Sequence, residues 1–236
     1  MEECAKFAEE VLAPINAIGD QQGATIKDGK VTMPKEFVDA YKSFSEAGWA
    51  SISLPSEIGG GGMPIALSGG TLEILSTANL AFGLAPGLAA GAISAINFHG
   101  SEDQKAKFLP KLVSGEWTGT MNLSEPQSGS DLGTITTKAE PQEDGTYKIT
   151  GTKVWITFGE HDLTDNIIHL VLAKIPGSPE GTKGISMFIV PKVMVNEDGS
   201  LGEDNNVSCI SIEEKLGIHA SPTCVMEYEG SVGYLV

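Results

Sequence analysis

The hydrophobic period of this chain changes once, near Trp117, and that change limits what the chain can fold into more than any other feature. Before it, apolar residues recur at helical spacing: Cys4, Phe7, Ala8, Val11, Leu12, Ile15 and Ile18 obey the i, i+3, i+4 rule of an amphipathic helix. After it, no stretch of useful length keeps that spacing. GTYKITGTKVWIT alternates around an Asp144-Gly145 hairpin signal, and IIHLVLAKI, GISMFIVP, VSCISIEE and TCVMEYEG read as strands. The prediction is an α+β chain: an all-α helical domain over residues 1–116, then an antiparallel β-barrel or sandwich domain over residues 117–236.

Within the helical part, a kink is expected at Pro14, and residues 19–31 read as a polar loop with an Asp28-Gly29 turn. Pro34 reads as a first helical position, followed by the stripe Phe37, Tyr41 and Phe44, which stops at Gly48. SLPSEIGGGGMP is a non-helical linker. Residues 65–98 carry one ionised side chain, Glu73, and read as two largely buried helices parted near Pro86-Gly87. Their Ala and Gly content suits close helix packing, with a narrow substrate channel as the alternative. Ser101 and Gln104 form a capping box for the next helix, which ends at Gly115.

Composition excludes several functions. Hydrophobic content of 41% and charged content of 19% belong to a globular chain. The net charge of −16, with basic residues sparse and unclustered, lacks the electrostatic footprint of a nucleic-acid binder. No run is expected to span a bilayer, and MEECAKFAEE is acidic where a signal peptide is basic, so a cytoplasmic location is expected. Cys4, Cys209 and Cys224 have no CxxC spacing and read as buried free thiols. His99, His161, His169 and His219 have no metal-ligand spacing, so no metal site is predicted.

The chemistry concentrates just past the change of period. MNLSEPQSGSD, residues 121–131, carries a short strand into a Gly/Ser loop that ends on an acid. Thirty residues on, KVWIT sets an indole and a hydroxyl two positions apart in a β-type run, hence on one face. Exposed backbone N–H groups beside a tryptophan shelf suit a flat ring with polar edges, such as a flavin. Ligand sites favour junctions between domains. Taken singly, a Ser-Gly-Ser-Asp loop is more often a turn and a strand tryptophan more often core; the conjunction is what points to a ligand.

MNLSEPQSGSD, KITGTKVWIT, KGISMFIVPK and IEEKLGIHASPTC, in that order and spacing, resemble the acyl-CoA dehydrogenase family across essentially the whole chain. Within the family the likeness leans to its larger members, the 3-methylmercaptopropionyl-CoA dehydrogenase-like branch. The resemblance implies a helical and a β domain of a three-part enzyme whose C-terminal four-helix domain is not in this sequence. The implied activity is FAD-dependent α,β-dehydrogenation of an acyl-CoA thioester, with 3-methylthiopropionyl-CoA as one candidate. Electrons would pass to electron-transfer flavoprotein or a similar acceptor, and the full-length protein would be a homo-oligomer.

By residue-wise carry-over the cofactor would be held by Met121, Asn122, Leu123, Ser124, Gly129, Ser130, Trp155, Ile156 and Thr157, with Ser130 also reaching the substrate thioester. Glu125 and Asp131 would order the loop rather than catalyse. The family's base, a glutamate of the third domain, is expected outside this chain, so no catalytic residue is assigned. His219 stands where smaller family members often carry Arg and would be structural. Gln127-Ser128 in place of Gly-Ala and Phe158 in place of Asn depart from the common pattern and bear on acyl preference. The alternatives are a DNA-associated relative, which the charge opposes, and a non-catalytic flavoprotein relative.

Overall fold

A computed structural model describes residues 1–236. It opens with helix α1 (Glu2–Phe7), a π-helical turn (Ala8–Leu12) and helix α2 (Ala13–Gln22). The widened turn comes just before Pro14, which has no N–H to donate and would crowd the carbonyl four residues back. The predicted kink is thus absorbed by a π bulge. Residues 19–31 are not a loop. The helix persists to Gln22, and β1 (Thr25–Lys27) and β2 (Lys30–Thr32) form a hairpin turned by Asp28 and Gly29, both at positive φ.

Helix α3 (Lys35–Glu46) buries Phe37, Ala40, Tyr41 and Phe44. Helix α4 (Ile65–Ala78) and helix α5 (Leu80–His99) are parted at Asn79, not at Pro86-Gly87. Asn79 leaves helical geometry, accepts the Phe82 N–H at 3.1 Å and donates its amide to the Leu12 carbonyl at 3.2 Å. That side chain caps one helix and ties it to another, whereas Pro86 is accommodated inside α5. Helix α6 (Glu102–Ser114) starts at the predicted Ser101–Gln104 capping box and stops where Gly115 turns left-handed at φ 79°.

One further expectation for these helices fails. They are not largely buried: Ile65 and Phe98 are 79% and 77% exposed. Helix α5, at 20 residues, is long and apolar enough to cross a bilayer by length and composition alone, a test that the core helix of a globular protein also passes. Its small residues have another use here, because its Ala92 lies so close to Gly119 of the β domain that a Cβ on Gly119 would fall 2.5 Å from that of Ala92. Close packing, not a channel, is what the Ala/Gly run achieves at this point.

From residue 118 onward the only helical segments are short 3-10 turns, and the regular structure is strands: β3 (Thr118–Asn122), β4 (Lys138–Pro141), β5 (Tyr147–Thr157), β6 (Ile167–Lys174), β7 (Ile185–Pro191), β8 (Val193–Val195), β9 (Leu201–Asp204), β10 (Val207–Ile212) and β11 (Thr223–Leu235). The pairings β11–β5, β5–β4, β4–β6, β6–β7 and β7–β11 run round in a ring, so the sheet closes on itself. It is mixed rather than purely antiparallel. Both β3 and β4 lie parallel to β6, pairing with successive parts of it, at residues 167–171 and at Lys174. The chain leaves β6 at the end of β3 and returns to it at β4, and the detour between them is the 123–137 loop.

Three cores follow from this arrangement. Phe37, Phe44, Phe82 and their neighbours fill the helical part, and Ile149, Val171, Phe188, Val190 and Tyr228 fill the inside of the closed sheet. A third joins the two parts: Ile93, Ile96, Phe108 and Leu112 of the helices meet Ile168, Leu170 and Ile189 on the outside of the sheet. Strand β6 therefore buries both faces, which is why IIHLVLAKI reads as an unbroken apolar run.

Candidate functional site

The 123–137 loop is ordered from within by Glu125. This carboxylate is 2% exposed and takes hydrogen bonds from Gln127 Nε2 (2.7 Å), from the N–H and hydroxyl of Thr136 (2.7 and 2.8 Å), from the N–H and hydroxyl of Thr137 (3.0 and 2.6 Å) and from Lys153 Nζ (2.9 Å). Burial alone would raise its pKa. The bonds from Thr137, Thr136 and Lys153 outweigh it and bring the group to about 2. With both oxygens occupied, Glu125 is an anchor and not a proton acceptor.

Asp131 closes the other end of the loop. Its Oδ1 accepts the Gly133 N–H at 3.0 Å, and its carbonyl accepts the hydroxyls of Ser128 (2.6 Å) and Thr134 (3.0 Å). Glu125 and Ser128 exchange backbone bonds at 2.9 and 2.8 Å.

Strand β5 supplies the opposing wall. Its inward phase runs through Ile149, Gly151 and the fully buried Lys153. A β-bulge then intervenes: Met226 pairs with Lys153 and Cys224 with Ile156, so Val154 and Trp155 together oppose Val225. Trp155 takes φ 60°, a region that a bulky side chain rarely occupies. The bulge inverts the alternation. Trp155 emerges 57% exposed, Ile156 turns into the core at 3%, and Thr157 is half-buried. Without the extra residue the indole would have entered the core. A strained backbone that projects an aromatic ring to solvent is a feature that points to a ligand.

The two motifs meet. The Val154 N–H bonds the Ser124 carbonyl at 3.0 Å, Lys153 Nζ bonds the Leu123 carbonyl at 3.0 Å, and the Thr120 hydroxyl bonds the Thr157 carbonyl at 2.7 Å. Gly129 stands beside the indole, where a Cβ would lie 3.9 Å from Trp155 Cζ3.

Their donors are divided between two tasks. The hydroxyls that order the loop belong to Ser128, Thr134, Thr136 and Thr137; those of Ser124 and Ser130 are not among them. The backbone N–H groups of Leu123 and Ser124 likewise find no acceptor within the chain. Both residues are half-buried, while Gly129 and Ser130 are exposed. Free donors beside an exposed aromatic face are what a planar ligand with carbonyl or anionic edges requires, so the residues present fit a flavin.

Not every predicted residue offers its side chain. Ile156 and Asn122 point inward, and Met121 packs toward the helical layer, leaving only backbone for a ligand. Asn122 instead accepts the Tyr228 hydroxyl at 2.8 Å and donates to His169 Nδ1 at 3.2 Å. This buried network, with Lys153 and Thr137, holds the site from behind, and sequence reasoning missed it. The available signal was Lys153 at an inward position of an alternating strand.

His219 bridges the two parts: Nδ1 meets Asp20 Oδ1 at 2.8 Å, and Nε2 meets the Lys215 carbonyl at 2.9 Å. Both partners accept, which raises its pKa through Lys215 first and then Asp20. Glu160 is buried and paired to Lys192 at 2.5 Å, and burial raises its pKa.

A tryptophan shelf and a donor-bearing loop, set where a helical layer meets a closed sheet, define a binder of a flat, polar-edged ligand. The chain matches "Acyl-CoA dehydrogenase, N-terminal domain" over residues 1–116 and "Acyl-CoA dehydrogenase, middle domain" over residues 120–231. It belongs to the acyl-CoA dehydrogenase family.

It is 50% identical over 236 residues to 3-methylmercaptopropionyl-CoA dehydrogenase of Ruegeria pomeroyi, and 43% identical over 227 residues to a butyryl-CoA dehydrogenase of Syntrophomonas wolfei. The alignments cover 100% and 94% of this chain but 40% and 37% of those proteins, so the chain spans about two fifths of the length of the curated relatives it matches. The acyl-CoA dehydrogenase of Bacillus anthracis, solved in complex with FAD, superimposes with a TM-score of 0.77 at 28% identity over 98% of this chain and 35% of that one.

Proposed function

We propose that this chain forms the flavin-holding part of an FAD-dependent acyl-CoA dehydrogenase. The observation that carries the proposal is the pairing of free donors at Leu123 and Ser124 with the exposed, left-handed Trp155. Trp155 covers one face of the ring system. The N–H groups of Leu123 and Ser124 and the Ser124 hydroxyl bond its polar edge, each neutral bond contributing about 0.5–1.5 kcal/mol net. Thr157 faces the ring beside the indole, Gly129 leaves room for close approach, and Ser130 reaches the thioester arm of the substrate.

Bound FAD supplies the hydride acceptor for α,β-dehydrogenation of an acyl-CoA thioester. Removal of the α proton falls to a carboxylate other than Glu125, whose oxygens are saturated, or Glu160, which is held by Lys192. Similarity to the Ruegeria protein favours a short thioester such as the 3-methylthiopropionyl one. Electron-transfer flavoprotein is the proposed acceptor, and a homo-oligomer the proposed form of the full-length protein. None of the 15 basic residues is an arginine, so the cations this chain offers the pyrophosphate of FAD are lysines and, when protonated, histidines.

The test is reconstitution. Protein mixed with FAD and passed through a desalting column should retain bound flavin, and Trp155→Ala and Ser124→Ala should each lower that retention without lowering the melting temperature. A protein that emerges colourless at every FAD concentration would overturn the proposal.

A further inference from the structure

Lys153 is the only buried lysine among the 15 basic residues, and nothing in a flavin-binding role for Trp155 or Ser124 requires an ammonium behind them. Its Nζ spans two acceptors, the Leu123 carbonyl at 3.0 Å and Glu125 Oε1 at 2.9 Å. The geometry of the intervening peptide gives this arrangement a consequence. In a trans peptide the C=O of one residue and the N–H of the next point in opposite directions, and the chain has no cis bond. Drawing the Leu123 carbonyl inward toward Lys153 therefore turns the Ser124 N–H outward. That N–H meets no acceptor in the chain. The Ser124 carbonyl, in the next peptide, is fixed in turn by the Val154 N–H at 3.0 Å, so the two peptides flanking Ser124 are each held by one of two adjacent residues of β5.

We propose that Lys153 is a positioning residue: its buried ammonium, itself held by Glu125, locks the Leu123–Ser124 peptide so that the Ser124 N–H stands ready to donate to a carbonyl of the flavin pyrimidine ring. The proposal rests on the flavin reading above. It assigns to Lys153 a task apart from folding, because the ion pair alone could be met by any buried cation, whereas the bond to Leu123 sets the direction of a ligand donor. Burial lowers the pKa of Lys153 and Glu125 opposes the shift, yet the bond to Leu123 does not require a charge, since a neutral amine also donates. The Glu125 bond and the Leu123 bond can therefore be separated by mutation.

The experiment compares the full chain with Glu125→Gln and with the double variant Glu125→Gln/Lys153→Met, which removes the clamp without stranding a buried charge. FAD affinity and the infrared stretch of the ring carbonyls, made visible by isotope labelling of FAD, are measured on each. Glu125→Gln should keep the wild-type carbonyl stretch, and the double variant should bind FAD about tenfold more weakly with that stretch shifted to higher frequency. A purely structural role would lower the melting temperature of the double variant and leave the stretch in place; that result would overturn the proposal.

A readout on the unmodified protein covers the case of a double variant that does not fold. The Ser124 amide should exchange rapidly with solvent without FAD and become protected when FAD binds, and rapid exchange in the FAD-bound protein would also overturn the clamp. Failure of the wild-type protein to bind FAD would instead defeat the underlying functional reading.

Discussion

At the scale of single residues, the site is built from groups whose polar atoms are either fully used or fully free. Glu125 is of the first kind. Glu125→Ala would leave Lys153 as a buried, unpaired cation and should destabilise the fold by about 3–5 kcal/mol, while Glu125→Gln/Lys153→Met, which strands no charge and keeps one acceptor oxygen, should lose less; urea denaturation of the two variants checks the contrast. Gly129 governs the second kind. Gly129→Leu places a side chain that begins 3.9 Å from the indole, and should abolish FAD retention with little change in melting temperature. How much of this was legible depended on the residue. Trp155 and Ser124 stood out because an indole and a serine-rich loop are conspicuous in any sequence. Lys153 did not, because its meaning lies in the carbonyl it holds, and a backbone acceptor leaves no trace in residue type. The bulge was invisible for a similar reason: two-residue alternation places Trp155 and Lys153 on one face, and only the pairing with β11 shows the inserted position.

At the scale of elements, helical and strand segments were legible wherever periodicity and local chemistry agreed. The Ser101–Gln104 capping box and the strands β6 and β7 are of that kind. The break between α4 and α5 was not, since Pro86 looks like a stop signal and Asn79 does not. What decides the matter is a tertiary bond, from the Asn79 amide to Leu12, that no local rule anticipates. Asn79→Ala removes that bond and the cap on Phe82 together, and should cost about 1–2 kcal/mol in thermal or urea unfolding. Gly119 marks where α5 meets β3. With 2.5 Å available to a Cβ, Gly119→Val should force the two elements apart and destabilise by about 1–3 kcal/mol, with the loss greater than for a valine placed at the open Gly91 of the same helix. The direction of β3 likewise escaped sequence reasoning: a segment of five residues carries no signal for parallel or antiparallel pairing.

At the scale of the molecule, two buried histidines shape the response to acid. His161 bonds the Thr118 hydroxyl at 2.9 Å and the Leu163 N–H at 3.2 Å, and His169 bonds Asn122; burial lowers both to about 3. Below their ordinary value of 6.5 the unfolded chain takes up protons that the fold resists. Stability is therefore whole above pH 6.5 and declines as pH falls toward 3, by about 2 kcal/mol for each histidine at pH 5. Glu125 adds a separate loss as pH falls below its ordinary 4.5 toward 2. Unfolding free energies measured at pH 7 and pH 5 should show the decline, and His161→Gln should reduce it. The division into helical and β parts was readable at this scale because it rests on hydrophobic period. The seam was not, because Ile168 and Leu170 face the helices while Val171 and Ala173 of the same strand face the inside of the sheet. That seam brings the 123–137 loop and Trp155 to the junction, where the flavin is proposed to bind. The most direct measurement is the fluorine NMR spectrum of protein labelled with 5-fluorotryptophan, whose three resonances report Trp49, Trp117 and Trp155 separately. Added FAD should shift the Trp155 resonance, assigned by its loss in Trp155→Phe, and leave that of the buried Trp117 in place; FAD that binds without moving the Trp155 resonance, or that does not bind at all, would contradict that proposal.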